Sequence, residues 1–124
     1  MLMNILVAAL LGISSPAPSI PPYRWLTASE LETLLRGSLI VEADVRANYL
    51  RTREEFHRNG NYVRHDHNYE AHGKYTFRDD AVCDQALGDQ EVCRRVLIDA
   101  HGRYWIIART NAQYIVRISV EALR

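Results

Sequence analysis

The segment REEFHRNGNYVRHDH, residues 53–67, contains Asn59-Gly60, a strong signal for a hairpin between two antiparallel strands. A three-residue loop ending at Gly60 would hold that glycine in the left-handed conformation and set Phe56 opposite Tyr62. A two-residue loop would instead put the two aromatic side chains on opposite faces of the hairpin. We therefore predict the longer loop.

The two-residue periodicity of this hairpin continues along the chain and predicts an antiparallel meander of about seven or eight short strands. The predicted strands span residues 39–41, 53–57, 61–67, 74–79, 81–84, 92–98, 103–109 and 113–120. Such a sheet must curl into a barrel or fold into a sandwich to bury its apolar face. The expected fold class is mainly β, or α+β when a short helix is counted.

That helix precedes the strands and is predicted over residues 28–36. Thr27 and Glu30 form a capping box at its start. Leucines at positions 31, 34 and 35 give it one apolar face, and Gly37 favours its end. We expect the helix to pack on the sheet.

Residues 1–19 are predicted to be a cleavable signal peptide. Residues 5–13 carry no charge, and this stretch has the length of a signal-peptide apolar region but falls short of the roughly 20 residues needed to span a bilayer. Small residues at positions 17 and 19 favour cleavage before Ile20, which leaves one β-rich domain over 20–124. An N-terminal helix packed on that domain is the alternative. We expect an exported bacterial protein, periplasmic or secreted, with no membrane span after removal of the leader.

Cys83 and Cys93 are the only two cysteines of the chain. In a small exported domain, two cysteines so close in sequence are expected to form one structural disulfide that joins neighbouring strands. A zinc site lacks a second close ligand at either cysteine. A redox-active pair lacks the short C-x-x-C spacing.

Four of the five histidines fall between positions 57 and 72. On a strand, His65 and His67 point to the same face, and His57 lies on that face nearer the turn. These three side chains are the candidate ligands for a Zn²⁺ or Cu²⁺ ion. Asp66 and Glu70 are expected on the opposite face, and the alternative interpretation is a solvated polar strand.

Aromatic side chains at alternate strand positions could line a pocket for a ligand, although such residues also form ordinary core. The candidate pocket residues are Tyr62, Tyr75, Tyr104, Trp105, Tyr114 and Arg94. One of the two adjacent arginines at 94 and 95 should point inward. A buried guanidinium needs an acceptor, for which Asp84 or Asp99 is the expected partner.

Composition and motifs exclude several function classes. Acidic and basic residues balance at 15 each, which gives no reason to expect nucleic-acid binding. The chain has no phosphate-binding loop, dinucleotide fingerprint or nucleophile elbow, so we name no catalytic residue and expect no cofactor beyond the candidate metal.

Several short motifs resemble those of small exported bacterial β-proteins of unknown function, in which a leader and a short helix precede a β-meander with one cysteine pair. The matching stretches are Phe56 to Tyr62, Gly73 to Phe77, Val82-Cys83, Cys93-Arg94 and Gly102 to Tyr104. The resemblance implies the fold and the compartment, and it assigns no catalytic residue.

Three functions are compatible with these features. The first is a non-catalytic exported protein that binds a small ligand or a protein partner. The second is a periplasmic metal-binding protein that uses the strand of His65 and His67, and the third is a small hydrolase.

Overall fold

A computed structural model describes residues 22–43, 52–66 and 69–124 of the protein. The predicted signal peptide and His67 lie outside these ranges. The elements are β1 (Tyr23–Trp25), α1 (Ala28–Leu35), β2 (Ser38–Glu42), β3 (Arg53–Phe56), β4 (Asn61–Asp66), β5 (Tyr69–Arg78), β6 (Ala81–Ala86), β7 (Val92–Arg94), β8 (Val96–Asp99), β9 (Tyr104–Ile107) and β10 (Ile115–Ala122).

The ten described strands form one antiparallel sheet in the order β1-β8-β9-β10-β2-β3-β4-β5-β6-β7. The sheet curls into a half-barrel, which confirms the predicted mainly β class. The strand count is higher than predicted, in part because 23–25 forms an additional edge strand. The predicted strand over 92–98 is also two strands, separated by Arg95.

The break at Arg95 moves the chain from one end of the sheet to the other. β7 is an edge strand, whereas β8 is the second strand from the opposite edge. One residue spans at most about 3.6 Å, so the two ends of the sheet must come close together. This connection requires the sheet to curl.

The hairpin predicted from Asn59-Gly60 is confirmed. Phe56 pairs directly with Tyr62, and Gly60 adopts a φ of 95°. The backbone N–H of His57 donates to the carbonyl of Asn61 at 2.9 Å, which leaves a three-residue loop.

The helix closes the inner face of the half-barrel, where the apolar core lies. Thr27 and Glu30 form the predicted capping box, and Leu31 and Leu35 are fully buried. The core consists of Leu26, Leu31, Leu35, Ile40, Phe56, Tyr62, Tyr75, Val82, Val96, Ile106 and Ile118. Within the described ranges, no helix is both long and apolar enough to cross a bilayer.

Candidate functional site

The disulfide between Cys83 and Cys93 joins β6 to the edge strand β7, as predicted. The two residues are directly opposite each other in the strand pairing. In the described part of the chain, the one group of three converging metal-ligand side chains is Cys83, Glu91 and Cys93. Its two sulfurs are bonded to each other and Glu91 pairs with Arg78, so the group offers no thiolate to an ion.

A buried ionic network lies on the inner face of the sheet. Glu54, Asp84 and Arg94 are each 1 % exposed. The guanidinium of Arg94 donates to Glu54 Oε2 at 3.1 Å and to Asp84 Oδ2 at 3.1 Å. Arg109 donates from Nη2 to the same Asp84 oxygen at 2.8 Å and to the Tyr62 hydroxyl at 2.7 Å. We call these five residues the inner network.

The arginines keep the Glu54 carboxylate of the inner network charged. Burial alone would raise the pKa of Glu54, but the charges of Arg94 and Arg109 and the hydrogen bond from Tyr62 lower it to about 2. Burial and the neighbouring carboxylates raise the pKa of Tyr62, which therefore stays a hydrogen-bond donor. The network binds its own members, which makes it a structural device rather than an open site.

The structure does not assemble the six candidate pocket residues into one cup. Tyr62 and Tyr75 belong to the inner core and Arg94 to the inner network, while Tyr104 packs against the core at the opposite end of the sheet. Tyr114 precedes β10 and is 63 % exposed.

Trp105 lies on the outer face and donates from Nε1 to Asp99 at 2.9 Å. The structure also shows which of the two predicted aspartates pairs with Arg94. Asp84 binds that guanidinium, as predicted for one of the two candidates, whereas Asp99 accepts from Trp105 and Arg103.

A row of alternating histidines and glutamates crosses the outer face of β3, β4 and β5. His57 Nε2 lies 2.8 Å from Glu55 Oε1, and His65 Nε2 lies 2.7 Å from Glu55 Oε2. His65 Nδ1 lies 3.0 Å from Glu70 Oε2, and His72 Nε2 lies 3.0 Å from Glu70 Oε1. We call these five residues the His–Glu row.

The central imidazole of the row has a carboxylate at each ring nitrogen. Both nitrogens of His65 can donate at once only when the ring is protonated. Burial raises the pKa of Glu55, but hydrogen bonds with His65 and His57 outweigh it and lower that pKa overall. The row therefore joins imidazoles and carboxylates in alternation, whereas the cations of the inner network are arginines.

The row corrects the predicted position of Glu70. Because β4 ends at Asp66 and β5 begins at Tyr69, the strand pairing sets Glu70 opposite His65, on the same face. Of the three predicted metal ligands, His57 and His65 both contact Glu55, and His67 lies outside the described residues.

A cleft of about 670 Å³ opens beside the row, at the start of β4, the middle of β5 and the end of β6. Its lining is mostly apolar and includes both end histidines of the row. The lining residues are His57, Asn61, Tyr62, Val63, His72, Gly73, Lys74, Gln85, Ala86, Leu87 and Gly88. We call it the outer cleft, because its polar side chains lie on the strand face opposite the core.

Gly73 gives the outer cleft its shape. A Cβ atom at Gly73 would lie 1.9 Å from the carbonyl oxygen of Gln85, so only glycine lets β5 and β6 approach so closely there. The backbone N–H of Leu87 then donates to the carbonyl of His72 at 2.8 Å. This contact holds Leu87, which is 88 % exposed, at the edge of the cleft.

The row and the cleft contain residues that the sequence analysis did not select. Glu55 was not selected, because strand alternation puts the glutamates at 54 and 55 on opposite faces without showing which of them has histidines beside it. Lys74 could have been noticed in the sequence, since it is the only lysine of the chain. Nothing in the sequence distinguishes Leu87, because a leucine beside a predicted turn is ordinary.

No protein-family model, curated protein or solved structure matches the chain. The resemblance to small exported β-proteins stays a prediction. The outer cleft and the His–Glu row are therefore the features that indicate a function.

Proposed function

We propose that the protein binds a small apolar ligand in the outer cleft and catalyses no reaction on it. The observation that carries this proposal is the cleft itself, which combines an apolar lining with a few convergent polar groups. Its volume falls within the range of about 300–1,000 Å³ typical of small-molecule sites.

The walls of the cleft suit an apolar ligand body. Val63 lies on the outer face of β4, Ala86 is the last residue of β6, and Leu87 follows it. Leu87 exposes nearly its whole side chain to solvent. Burial of such surface by a ligand is favourable, at about 25 cal/mol per Å² of apolar area.

We also propose that the protein works in an oxidising compartment, as an exported periplasmic or secreted protein. The disulfide between Cys83 and Cys93 supports this proposal, because such bonds persist mainly outside the cytosol.

A fluorescence titration with the neutral probe N-phenyl-1-naphthylamine tests the binding function. We expect saturable binding of one probe per chain. Gln85→Trp should abolish it by filling the cleft, and Leu87→Ser should weaken it by removing an apolar wall. Both positions are exposed, so neither change should unfold the protein.

The matched control for the first variant is Thr76→Trp. Thr76 is exposed on the outer face of β5 but does not line the cleft, so this variant should bind the probe like the wild type. The proposal fails if the wild type shows no saturable binding, or if the tryptophan at position 76 blocks the probe equally well.

Zn²⁺ or Cu²⁺ binding by His57 and His65 is a second candidate function. A metal would displace one of the two carboxylates from His65, and the other would then hold the imidazole from behind, as carboxylates commonly do for histidine ligands of metals. Calorimetric titration with zinc should show one ion per chain, lost in His65→Asn and retained in His101→Asn. His101 is an exposed histidine outside the row, and equal zinc uptake by both variants would eliminate this candidate.

A further inference from the structure

The charges around the outer cleft are of one sign. Among the described residues that line it, none is acidic, whereas Lys74 is cationic and His57 and His72 can become so. The nearest carboxylates of the row, Glu55 and Glu70, each contact two histidines. The lining therefore offers positive charge to a ligand and no competing negative group.

Lys74 contributes most to the positive charge of the lining. Its ammonium donates to the side-chain oxygen of Asn61 at 2.7 Å, which holds it at the cleft. Within the described ranges, no carboxylate lies within 4 Å of it. An ammonium held in place without a carboxylate partner is available to pair with an anion.

We propose that the ligand of the outer cleft is an amphiphile with one anionic head group, its apolar body lying against Val63, Ala86 and Leu87 and its head group near Lys74. This inference rests on the proposed binding function and adds the ligand class. Apolar walls alone would bind a neutral ligand as well as an anionic one. The preference for negative charge comes from Lys74.

Three ligands with the same alkyl chain and different head groups separate charge preference from apolar burial. They are decanesulfonate, decanol and decyltrimethylammonium, used below their micelle concentrations to displace N-phenyl-1-naphthylamine. We expect decanesulfonate to bind about three- to five-fold more tightly than decyltrimethylammonium, since one exposed ion pair contributes up to about five-fold. Decanol should fall between them.

Lys74→Met should weaken decanesulfonate binding about three-fold, as expected for the loss of one exposed ion pair, and should leave decanol binding unchanged. Lys74→Arg should retain the preference. Arg24→Met is the control, because Arg24 is an exposed cation on β1, remote from the cleft. It should change none of the three affinities.

Equal affinities for the sulfonate and the quaternary ammonium, or a Lys74→Met effect of the same size on all three ligands, would overturn the anionic preference. In either case the neutral probe would still bind, and the proposed binding function would stand.

Discussion

Glu54 and Glu55 are neighbours on β3, yet the alternation of the strand places them in opposite environments. Glu54 faces the core and pairs with two arginines, whose charge is permanent. Glu55 faces outward and pairs with two histidines, whose charge depends on pH. The same side chain therefore serves as a fixed structural anion on one face and as part of a titratable surface on the other.

The largest effect should come from removing a cation of the inner network. Arg94→Met leaves Glu54 and Asp84 buried with one cation fewer, and loss of one partner from a buried ion pair typically costs about 3–5 kcal/mol. Urea denaturation should show a decrease of that size in the free energy of unfolding. The control Arg24→Met should lose less than about 1 kcal/mol, because its pair with Glu30 is exposed. Similar losses in the two variants would show that the inner network contributes little.

The disulfide should have the next largest effect. It closes the β6–β7 hairpin, which carries Asp84 and Arg94 of the inner network. In the chain-entropy model, replacing both cysteines by alanine costs about 2–3 kcal/mol. The double variant should unfold at a correspondingly lower urea concentration, and an unchanged midpoint would contradict this expectation.

Acid should weaken the inner network in a defined pH window. The pKa of Glu54 is lowered from 4.5 to about 2 by its partners, so its contribution to stability is complete above the unfolded-state pKa. That contribution decreases as the pH falls towards the folded-state pKa. The free energy of unfolding should therefore fall between about pH 4.5 and about pH 2. In Glu54→Gln this pH dependence should be reduced, and an unaltered profile would show that Glu54 is not responsible.

The smallest effect is expected on the outer face. Glu55 is partly exposed, so Glu55→Gln should change the free energy of unfolding by less than about 1 kcal/mol at neutral pH. Its matched partner is Glu54→Gln, which makes the same chemical change one residue away and should cost clearly more. Equal losses in urea denaturation would remove the distinction between the two faces.

Local patterns of the sequence predicted much of the fold. The Asn59-Gly60 turn determined the pairing of Phe56 with Tyr62, and the capping box located the helix start. The break at Arg95 was not predictable, because residues 92–98 form an uninterrupted extended pattern. What divides it is the curl of the whole sheet, which gives β7 and β8 different neighbours.

The candidate site was harder to predict from the sequence, because it too depends on which strands are neighbours in the sheet. The His–Glu row depends on the pairing of β4 with β5, which sets Glu70 opposite His65, and the outer cleft depends on the close approach of β6 at Gly73. Both arise from contacts between strands. The disulfide was predictable because it depends on sequence proximity and compartment.

Glycine backbone N–H groups offer a direct view of where a ligand lies, since their NMR signals fall in a distinct region of the spectrum. Gly73 and Gly88 line the outer cleft, whereas Gly37 and Gly102 lie elsewhere on the fold. Addition of decanesulfonate to the wild-type protein should shift the signals of Gly73 and Gly88 saturably and leave those of Gly37 and Gly102 in place. Shifts confined to Gly37 or Gly102, or no saturable shift at either cleft glycine, would contradict a binding site in the outer cleft.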